Sequence, residues 1–195
     1  MGTARISEIT IGQSEVLTPA VPAQIGLEQY YSEAGPDYAA WSPEFNMHFG
    51  YFRAGLNPMD REAMLEQMNL EVLTRLRLKG IDKPRLLDLG CGLGATLRSF
   101  ARRLPKAELS GITRVPWQVQ QAQTLNEKGS FSRRIRVIEG DYQQTGLPAA
   151  SFDGVYALES SCHARWNNVL APLLLPLVSA PVGPMTYCMI AATKT

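Results

Sequence analysis

The sequence has few cysteines and no excess charge of either sign. Its three cysteines, Cys91, Cys162 and Cys188, lie far apart in a chain of 195 residues. This number and spacing fit neither a disulfide framework nor a zinc site, which indicates a reducing compartment. Nineteen basic residues against eighteen acidic ones give a net charge of +1. No broad cationic surface is implied, so nucleic acid is a poor candidate for a partner.

The first residues lack the features of a targeting signal. MGTARISEIT has no apolar core of the signal-peptide type, and Ile6 stands where a myristoylation signal requires Ser or Thr. We therefore expect a cytoplasmic protein. Residues 1–25 show no sustained hydrophobic period and predict a flexible arm. Hydrophobic residues make up 45% of the chain, which is typical of a soluble domain with a sizeable core.

One long stretch, residues 169–192, has no charged residue. Its length would suit a membrane span, but it contains four prolines. Each proline inside a helix removes a hydrogen bond and costs about 3 kcal/mol or more. We expect residues 165–195 to form an atypical, proline-rich apolar tail, buried or irregular, and a membrane anchor is the less favoured alternative.

Residues 26–80 predict a helical region ahead of the core. The segment from Leu27 to Phe52 is rich in aromatic residues, which must pack on something, and Gly-Pro and Ser-Pro pairs divide it into short turns. Asn57 followed by Pro58 resembles a helix start. Apolar residues then recur at helical spacing up to Gly80, which predicts a helix over roughly 58–79.

Residues 81–164 alternate between strand-like and helix-like patterns. Apolar runs at about 86–89, 107–112, 135–138 and 152–158 predict four strands, with helices after the first and at about 116–128. Strands that alternate with helices favour an α/β fold with a parallel, doubly wound sheet.

The first strand enters a glycine-rich turn, LDLGCGLG, where a helix begins. Such turns let a ligand approach the backbone and its N–H groups. Gly90, Gly92 and Ala95 fit the dinucleotide pattern weakly. S-adenosylmethionine brings an ammonium group as well as a carboxylate, and Asp88 supplies a carboxyl group beside the turn. Asp88 therefore favours S-adenosylmethionine, while a nicotinamide cofactor and a plain turn without ligand stay open.

The second strand closes on Thr113, where nucleotide-binding units usually carry an acid that accepts the ribose hydroxyls. The flanking motifs resemble class I S-adenosylmethionine-dependent methyltransferases, in the branch of sterol C-methyltransferases, tocopherol methyltransferases and cyclopropane fatty-acid synthases. LLDLGCGLG is similar to the first motif of that family, and GIT with WQVQQA to its second-strand region. FDGVYALESSCHA resembles the sterol-enzyme run F-D-x-V-Y-A-x-E-A-T-C-H-A, and the likeness covers roughly residues 27–164.

This resemblance implies a Rossmann-like methyltransferase fold, S-adenosylmethionine as cofactor and a set of cofactor-binding residues. Thr113 and Gln118 would take the place of the ribose acid, Asp141 would accept from the adenine amino group, and Tyr142 would lie against the ring. NMHFGYF resembles the N-terminal lid motif. The implied binding residues are Tyr31, His48, Gly50, Asp88, Gly90, Cys91, Gly92, Thr113, Gln118, Asp141 and Tyr142.

Several of these residues also have an ordinary structural explanation. Tyr31 would serve equally well as a core aromatic residue, and His48 as a packing histidine with its hydrogen bonds satisfied. Cys91 suits a small turn residue, and Asp141 suits a turn cap. These alternatives stay open at the level of sequence.

The residues after the fourth strand carry the expected chemistry. Open α/β sheets bind ligands at the carboxyl ends of their strands, which places Glu159 and His163 there. A methylated alkene leaves a carbocation that must be stabilised and must lose a proton. We expect Glu159 to act as base or cation stabiliser and His163 to be the other titratable candidate, although a strand-end carboxylate also occurs in plain loops.

The chain departs from the family after His163. The family sheet has seven strands, but only four are readable here, so the resemblance implies a domain truncated after the fourth strand. The expected function is methyl transfer to a small lipophilic or isoprenoid-like acceptor, with C-methylation favoured over O- or N-methylation. A non-catalytic remnant, a partner subunit and a homodimer stay open.

Overall fold

The computed structural model describes residues 26–160 and 189–193. The predicted arm (1–25) and most of the predicted tail lie outside these ranges. So does His163. Among the described residues, no helix is long and apolar enough to cross a membrane.

Short helical segments come first, as the broken aromatic sequence predicted. Helix α1 covers Leu27–Ala34, a 3-10 turn covers Gly35–Asp37 and helix α2 covers Tyr38–Trp41. A non-helical segment of turns and loop, residues 42–50, follows and is called the lid segment below. It leads towards helix α3, Arg61–Arg75.

Helix α3 is shorter than predicted at both ends. Asp60 caps it, because its Oδ1 accepts a hydrogen bond from the N–H of Ala63 at 3.0 Å. Asn57 instead caps its own turn by accepting from Met59. At the other end, Arg77 adopts a left-handed φ of 48°, so the helix ends before Gly80. The predicted bounds of 58–79 were therefore wrong by three or four residues at each end.

The sheet contains five described strands in the order β3-β2-β1-β4-β5. The first four are parallel, and the doubly wound, Rossmann-like class is confirmed. Their bounds are β1 Arg85–Leu89, β2 Glu108–Thr113, β3 Ile135–Glu139 and β4 Gly154–Leu158. Helices α4, Ala95–Arg103, and α5, Pro116–Lys128, connect β1 to β2 and β2 to β3.

Strand β5, Met189–Thr193, was not predicted. It pairs antiparallel with β4, with Leu158 opposite Met189 and Gly154 opposite Thr193. Five residues inside an apolar, proline-rich stretch give too short a signal for a strand. The open edge of β4 supplies the hydrogen-bonding partner that such a segment needs.

The core lies where α3 and α4 pack together against the sheet. Leu86 of β1, Phe100 of α4 and Tyr156 of β4 are fully buried, and the rings of Phe100 and Tyr156 are 5.2 Å apart. This packing fixes the carboxyl ends of β1, β2 and β4 relative to the start of α4. The polar residues that follow these strands consequently meet at one edge of the sheet.

Candidate functional site

A cavity opens at the carboxyl ends of the parallel strands. It holds about 880 Å³ of empty space, including the part open to solvent. Ten of the predicted binding residues line it, together with Glu159. They are Tyr31, His48, Asp88, Gly90, Cys91, Gly92, Thr113, Gln118, Asp141 and Tyr142.

Gly50 is the predicted binding residue that does not line the cavity. A Cβ atom on Gly50 would lie 2.5 Å from the Cβ of Met64. The N–H of the next residue, Tyr51, donates to the carbonyl of Met64 at 2.8 Å. Gly50 therefore lets the lid segment lie against α3, and its place over a ligand stays a prediction.

The glycine turn forms the wall between β1 and α4. Gly90 adopts a φ of 91° and Gly92 a φ of 52°, which few other residues adopt without strain. The N–H groups of Gly90 and Cys91 both donate to the carbonyl of Ile112 at 2.9 Å. Donors for a ligand must therefore come from later in the turn and from the start of α4, where Gly94 provides no side-chain cap. Uncapped N–H groups at a helix start favour an anionic group.

Asp88 places a carboxyl group beneath this turn. It is 3% exposed, and burial raises its pKa to about 7. The Tyr156 hydroxyl, on the adjacent strand, is near enough to lower that pKa, yet it has no hydrogen bond of normal geometry among the described residues. No cationic side chain of the described residues pairs with Asp88. A ligand that carries an ammonium group would supply the missing charge.

Thr113 and Gln118 lie together, as the resemblance implied. The Thr113 hydroxyl donates to Gln118 Oε1 at 2.5 Å and accepts from the N–H of Val115 at 3.3 Å. The Gln118 amide points to Met47 Sδ at 3.8 Å. The two side chains thus orient each other on the cavity wall in the place of the missing acid.

The residues after β3 form the opposite wall. Asp141 Oδ1 accepts from the N–H of Gln143 at 2.9 Å, which starts a 3-10 turn. The hydroxyl of Tyr142 donates to the carbonyl of Ser160 at 2.7 Å. Asp141 is therefore a turn cap with one oxygen occupied, and its other oxygen remains the one that can serve a ligand.

Glu159 stands at the end of β4 in a left-handed conformation, with a φ of 53°. Its Oε1 accepts from the N–H of Phe49, in the lid segment, at 2.6 Å. Burial raises its pKa to about 7, and the hydrogen bond from Phe49 acts in the opposite direction. A carboxyl group with a pKa near neutrality can exchange protons at physiological pH.

Sequence reasoning missed other residues that line the cavity. Phe45 and Met47 come from the lid segment, Thr96 from α4, and Ser160 from the end of β4. The side chain of Ser160 donates to the carbonyl of Leu89 and so ties β4 to the end of β1. The motifs NMHFGYF and ESSCHA contain two of these four residues, Met47 and Ser160, but they did not identify the side chains that face inward.

Arg98 fastens the lid segment to the glycine turn. It is 4% exposed, and its guanidinium donates to the carbonyls of Leu93 at 2.6 Å and Glu44 at 2.8 Å. Burial lowers its pKa to about 10, so it stays charged. This residue joins two of the segments that line the cavity.

We expect Arg98→Met to destabilise the protein by about 3 kcal/mol, because two buried carbonyls lose a charged donor. Chemical denaturation measures this loss. Arg102→Met is the matched control, since Arg102 lies on the same helix and reaches the exposed carboxylate of Glu44 at 3.3 Å. A surface ion pair of this kind contributes about 0–1 kcal/mol. Equal losses in the two variants would contradict the fastening role of Arg98.

Comparison with known proteins agrees with the fold. The profile of a methyltransferase-domain family matches residues 86–175. The chain is 30% identical over 128 residues to 24-methylenesterol C-methyltransferase 3 of Arabidopsis thaliana, which covers 66% of this chain and 34% of that protein. An O-methyltransferase of Pyrenophora dematioidea is 36% identical over 118 residues, which is 60% of this chain and 43% of the relative.

Among solved structures, geranyl diphosphate C-methyltransferase of Streptomyces coelicolor, determined with S-adenosyl-L-homocysteine, superposes with a TM-score of 0.63 and 16% identity. The match covers 78% of this chain and 60% of that protein. At this identity the likeness concerns the fold. The chain spans less than half the length of the relatives named above from sequence.

Proposed function

We propose that the chain is a class I S-adenosylmethionine-dependent methyltransferase, in the branch of the sterol C-methyltransferases, and that it transfers a methyl group to a small lipophilic acceptor. The observation that carries this proposal is the arrangement around the glycine turn. An uncapped helix start and a buried carboxyl group that has no counter-ion among the described residues lie side by side in one cavity. These are the two charges that the amino-acid end of S-adenosylmethionine needs.

The residues present fit this cofactor along the whole cavity. The start of α4 would meet the carboxylate and Asp88 the ammonium group, while Thr113 and Gln118 would meet the ribose. Tyr142 and the second oxygen of Asp141 would serve the adenine ring, and Tyr31 and His48 would cover the ligand from the lid side. When bound, S-adenosylmethionine supplies an activated methyl group on a sulfonium centre.

The chain's own residues then align the acceptor and handle its proton. Methyl transfer to an already activated group requires mainly in-line positioning of the nucleophile. If the acceptor is an alkene, the product is a carbocation, which the ionised Glu159 carboxylate stabilises and from which it then removes a proton. If the acceptor atom is oxygen or nitrogen, the same carboxylate takes the proton of that atom. His163 remains a second candidate for this role.

An isoprenoid-like acceptor and C-methylation are our preferred assignment. This choice is supported by the sterol C-methyltransferase relatives and by the geranyl diphosphate enzyme, which are all named as C-methyltransferases. The O-methyltransferase relative supports oxygen as the second choice for the attacked atom. We further propose a cytoplasmic location, a homodimer and no nucleic-acid partner, and we retain a non-catalytic cofactor-binding chain as the alternative to an active enzyme.

Titration calorimetry of the purified full chain tests the proposal. We expect binding of S-adenosylhomocysteine with a dissociation constant in the micromolar range, equivalent to about −8 kcal/mol, and no binding of NAD. Labelled methyl transfer from S-adenosylmethionine to an isoprenoid lipid extract then separates an enzyme from a non-catalytic chain. A folded protein that binds NAD, or neither compound, would overturn the assignment.

A further inference from the structure

The hydroxyl of Tyr156 is a polar group buried in the core. Tyr156 is fully buried on β4, and the centre of its ring lies 5.2 Å from that of Phe100, which restrains the ring. Among the described residues, the hydroxyl makes no hydrogen bond of normal geometry. A buried hydroxyl that stays unpaired costs free energy, whereas phenylalanine would fill nearly the same space without a polar atom. The hydroxyl therefore indicates a role beyond packing.

Asp88 is the polar residue opposite Tyr156 in the sheet. Strands β1 and β4 are parallel, and Asp88 and Tyr156 are direct partners in their register. Partners in register on neighbouring strands point to the same face of a sheet, so the two side chains lie next to each other. Asp88 is itself only 3% exposed. The Tyr156 hydroxyl is the one hydrogen-bonding group of the described residues that acts on the pKa of Asp88.

The protonation states of the pair decide which group donates. Burial and the nearby Asp88 carboxyl group raise the pKa of Tyr156 well above its ordinary value, so the phenol keeps its proton. An ionised carboxylate can only accept, so the hydrogen of the contact belongs to Tyr156. Hydrogen bonds to an ionised group are stronger than those to a neutral one. The contact therefore favours the ionised form of Asp88, against the burial that raises its pKa to about 7.

The cavity gives this contact a consequence. Asp88 lines the cavity and Tyr156 does not, so Tyr156 can act on a ligand only through Asp88. We propose that Tyr156 is a positioning residue of the cofactor site, whose hydroxyl donates to the Asp88 carboxylate and holds the negative charge there for the ammonium group of the ligand. The inference rests on the proposed function, because Asp88 is the group assigned there to that ammonium group.

Other ionisable groups around Asp88 also carry charge or titrate. They are Cys91 in the glycine turn, Arg98 on α4, His48 in the lid segment, Asp141 after β3 and Glu159 after β4. Burial raises the pKa of the Cys91 thiol and lowers that of His48, so both are neutral near pH 7, whereas Arg98 stays charged. Glu159 titrates near pH 7. A substitution of Tyr156 changes none of these side chains, so their contributions cancel when the variant is compared with the unmodified protein.

Carbon-13 NMR of the Asp88 carboxyl group in the free protein, assigned by its loss in Asp88→Asn, measures the effect. Tyr156→Phe removes a donor to the ionised form, so we expect the pKa of Asp88 to rise by about half a unit to one unit. Tyr51→Phe is the matched control, because Tyr51 packs against the same core but does not line the cavity. It should leave the titration of Asp88 unchanged. An unchanged pKa of Asp88 in folded Tyr156→Phe would overturn the proposal.

Calorimetry with S-adenosylhomocysteine over a range of pH gives a second readout. The ammonium group requires an ionised Asp88, so affinity should fall as the pH decreases through the pKa of Asp88, and in Tyr156→Phe this fall should begin at a higher pH. The expected affinity of the variant is about two- to fivefold lower at pH 7 and nearly normal at pH 9. An equal loss at both pH values would indicate a purely structural role and contradict the proposal.

The NMR titration separates this inference from the proposed function, because it uses no cofactor. If the unmodified protein does not bind S-adenosylhomocysteine, the proposed function fails, while the contact between Tyr156 and Asp88 is still tested. Should Tyr156→Phe not fold, carbon-13 labelling of tyrosine Cζ in the unmodified protein replaces it. One tyrosine signal should then show a step near pH 7 that disappears in Asp88→Asn and persists in Glu159→Gln, and the absence of such a signal would refute the contact.

Discussion

Glu159→Gln is expected to lower methyl transfer by at least about 100-fold, the lower end of the range for a lost general base. Glutamine keeps an oxygen that can accept the hydrogen bond from Phe49, so the shape of the cavity should be retained. It carries no charge and takes up no proton, so neither cation stabilisation nor deprotonation is possible. Single-turnover transfer of labelled methyl groups measures the rate, and calorimetry should show affinity for S-adenosylhomocysteine within about threefold of the unmodified protein.

The pH dependence gives the same experiment a second readout. The pKa of Glu159 is raised to about 7 by burial, and a base acts only when it is ionised. Transfer by the unmodified protein should therefore rise as the pH increases through about 7 and fall below it. With S-adenosylmethionine at saturation, so that the titration of Asp88 does not limit binding, the residual rate of Glu159→Gln should lack this step.

Glu139→Gln is the matched control, because Glu139 is an exposed carboxylate at the end of β3 that does not line the cavity. It should transfer methyl groups at the normal rate. Unchanged turnover in Glu159→Gln would reject Glu159 as base or cation stabiliser and leave His163 as the remaining candidate.

The elements of the sheet could be predicted because their signals are local. The apolar runs placed each parallel strand to within two residues of its observed bounds. The helix predicted from Pro116 onward has the bounds observed for α5, Pro116–Lys128. The start of α3 could not be placed so well, because Asn57 and Asp60 are both good caps and only the fold decides between them. Strand β5 depends on the free edge of β4, which no local pattern reveals.

The same distinction, between local sequence signals and contacts that only the fold decides, holds for the site. Thr113 and Gln118 are five residues apart across a strand end and a helix start, so their meeting follows from local geometry. Asn46, Asn69 and Thr96 come from three different elements, and each alone would pass for a cap or a surface residue. Their contact with His48 depends on how the lid segment packs on α3 and α4. Sequence patterns therefore identified many of the residues that line the cavity and missed the buried polar residues that contact His48.

Gly90→Ala should have the largest effect on cofactor binding. Gly90 adopts a φ of 91°, and a Cβ atom there would collide with the Cβ of Ser160 and lie 2.8 Å from its Oγ. Ser160 cannot easily move away, since its hydroxyl bonds Leu89 and its carbonyl accepts from Tyr142. The glycine turn must shift instead. We expect affinity for S-adenosylhomocysteine to fall on the order of 100-fold, or about 2.7 kcal/mol.

Gly80→Ala separates backbone strain from this collision. Gly80 has nearly the same φ, 90°, but no atom lies within 4 Å of the position that a Cβ would occupy. Both variants carry a left-handed strain of about 1–2 kcal/mol, which denaturation measures. Only Gly90→Ala adds the contact with Ser160, so Gly80→Ala should lose stability and keep its affinity. If Gly90→Ala is folded and binds S-adenosylhomocysteine normally, the turn after β1 does not hold the cofactor, and the observation that carries the proposed function is lost with it.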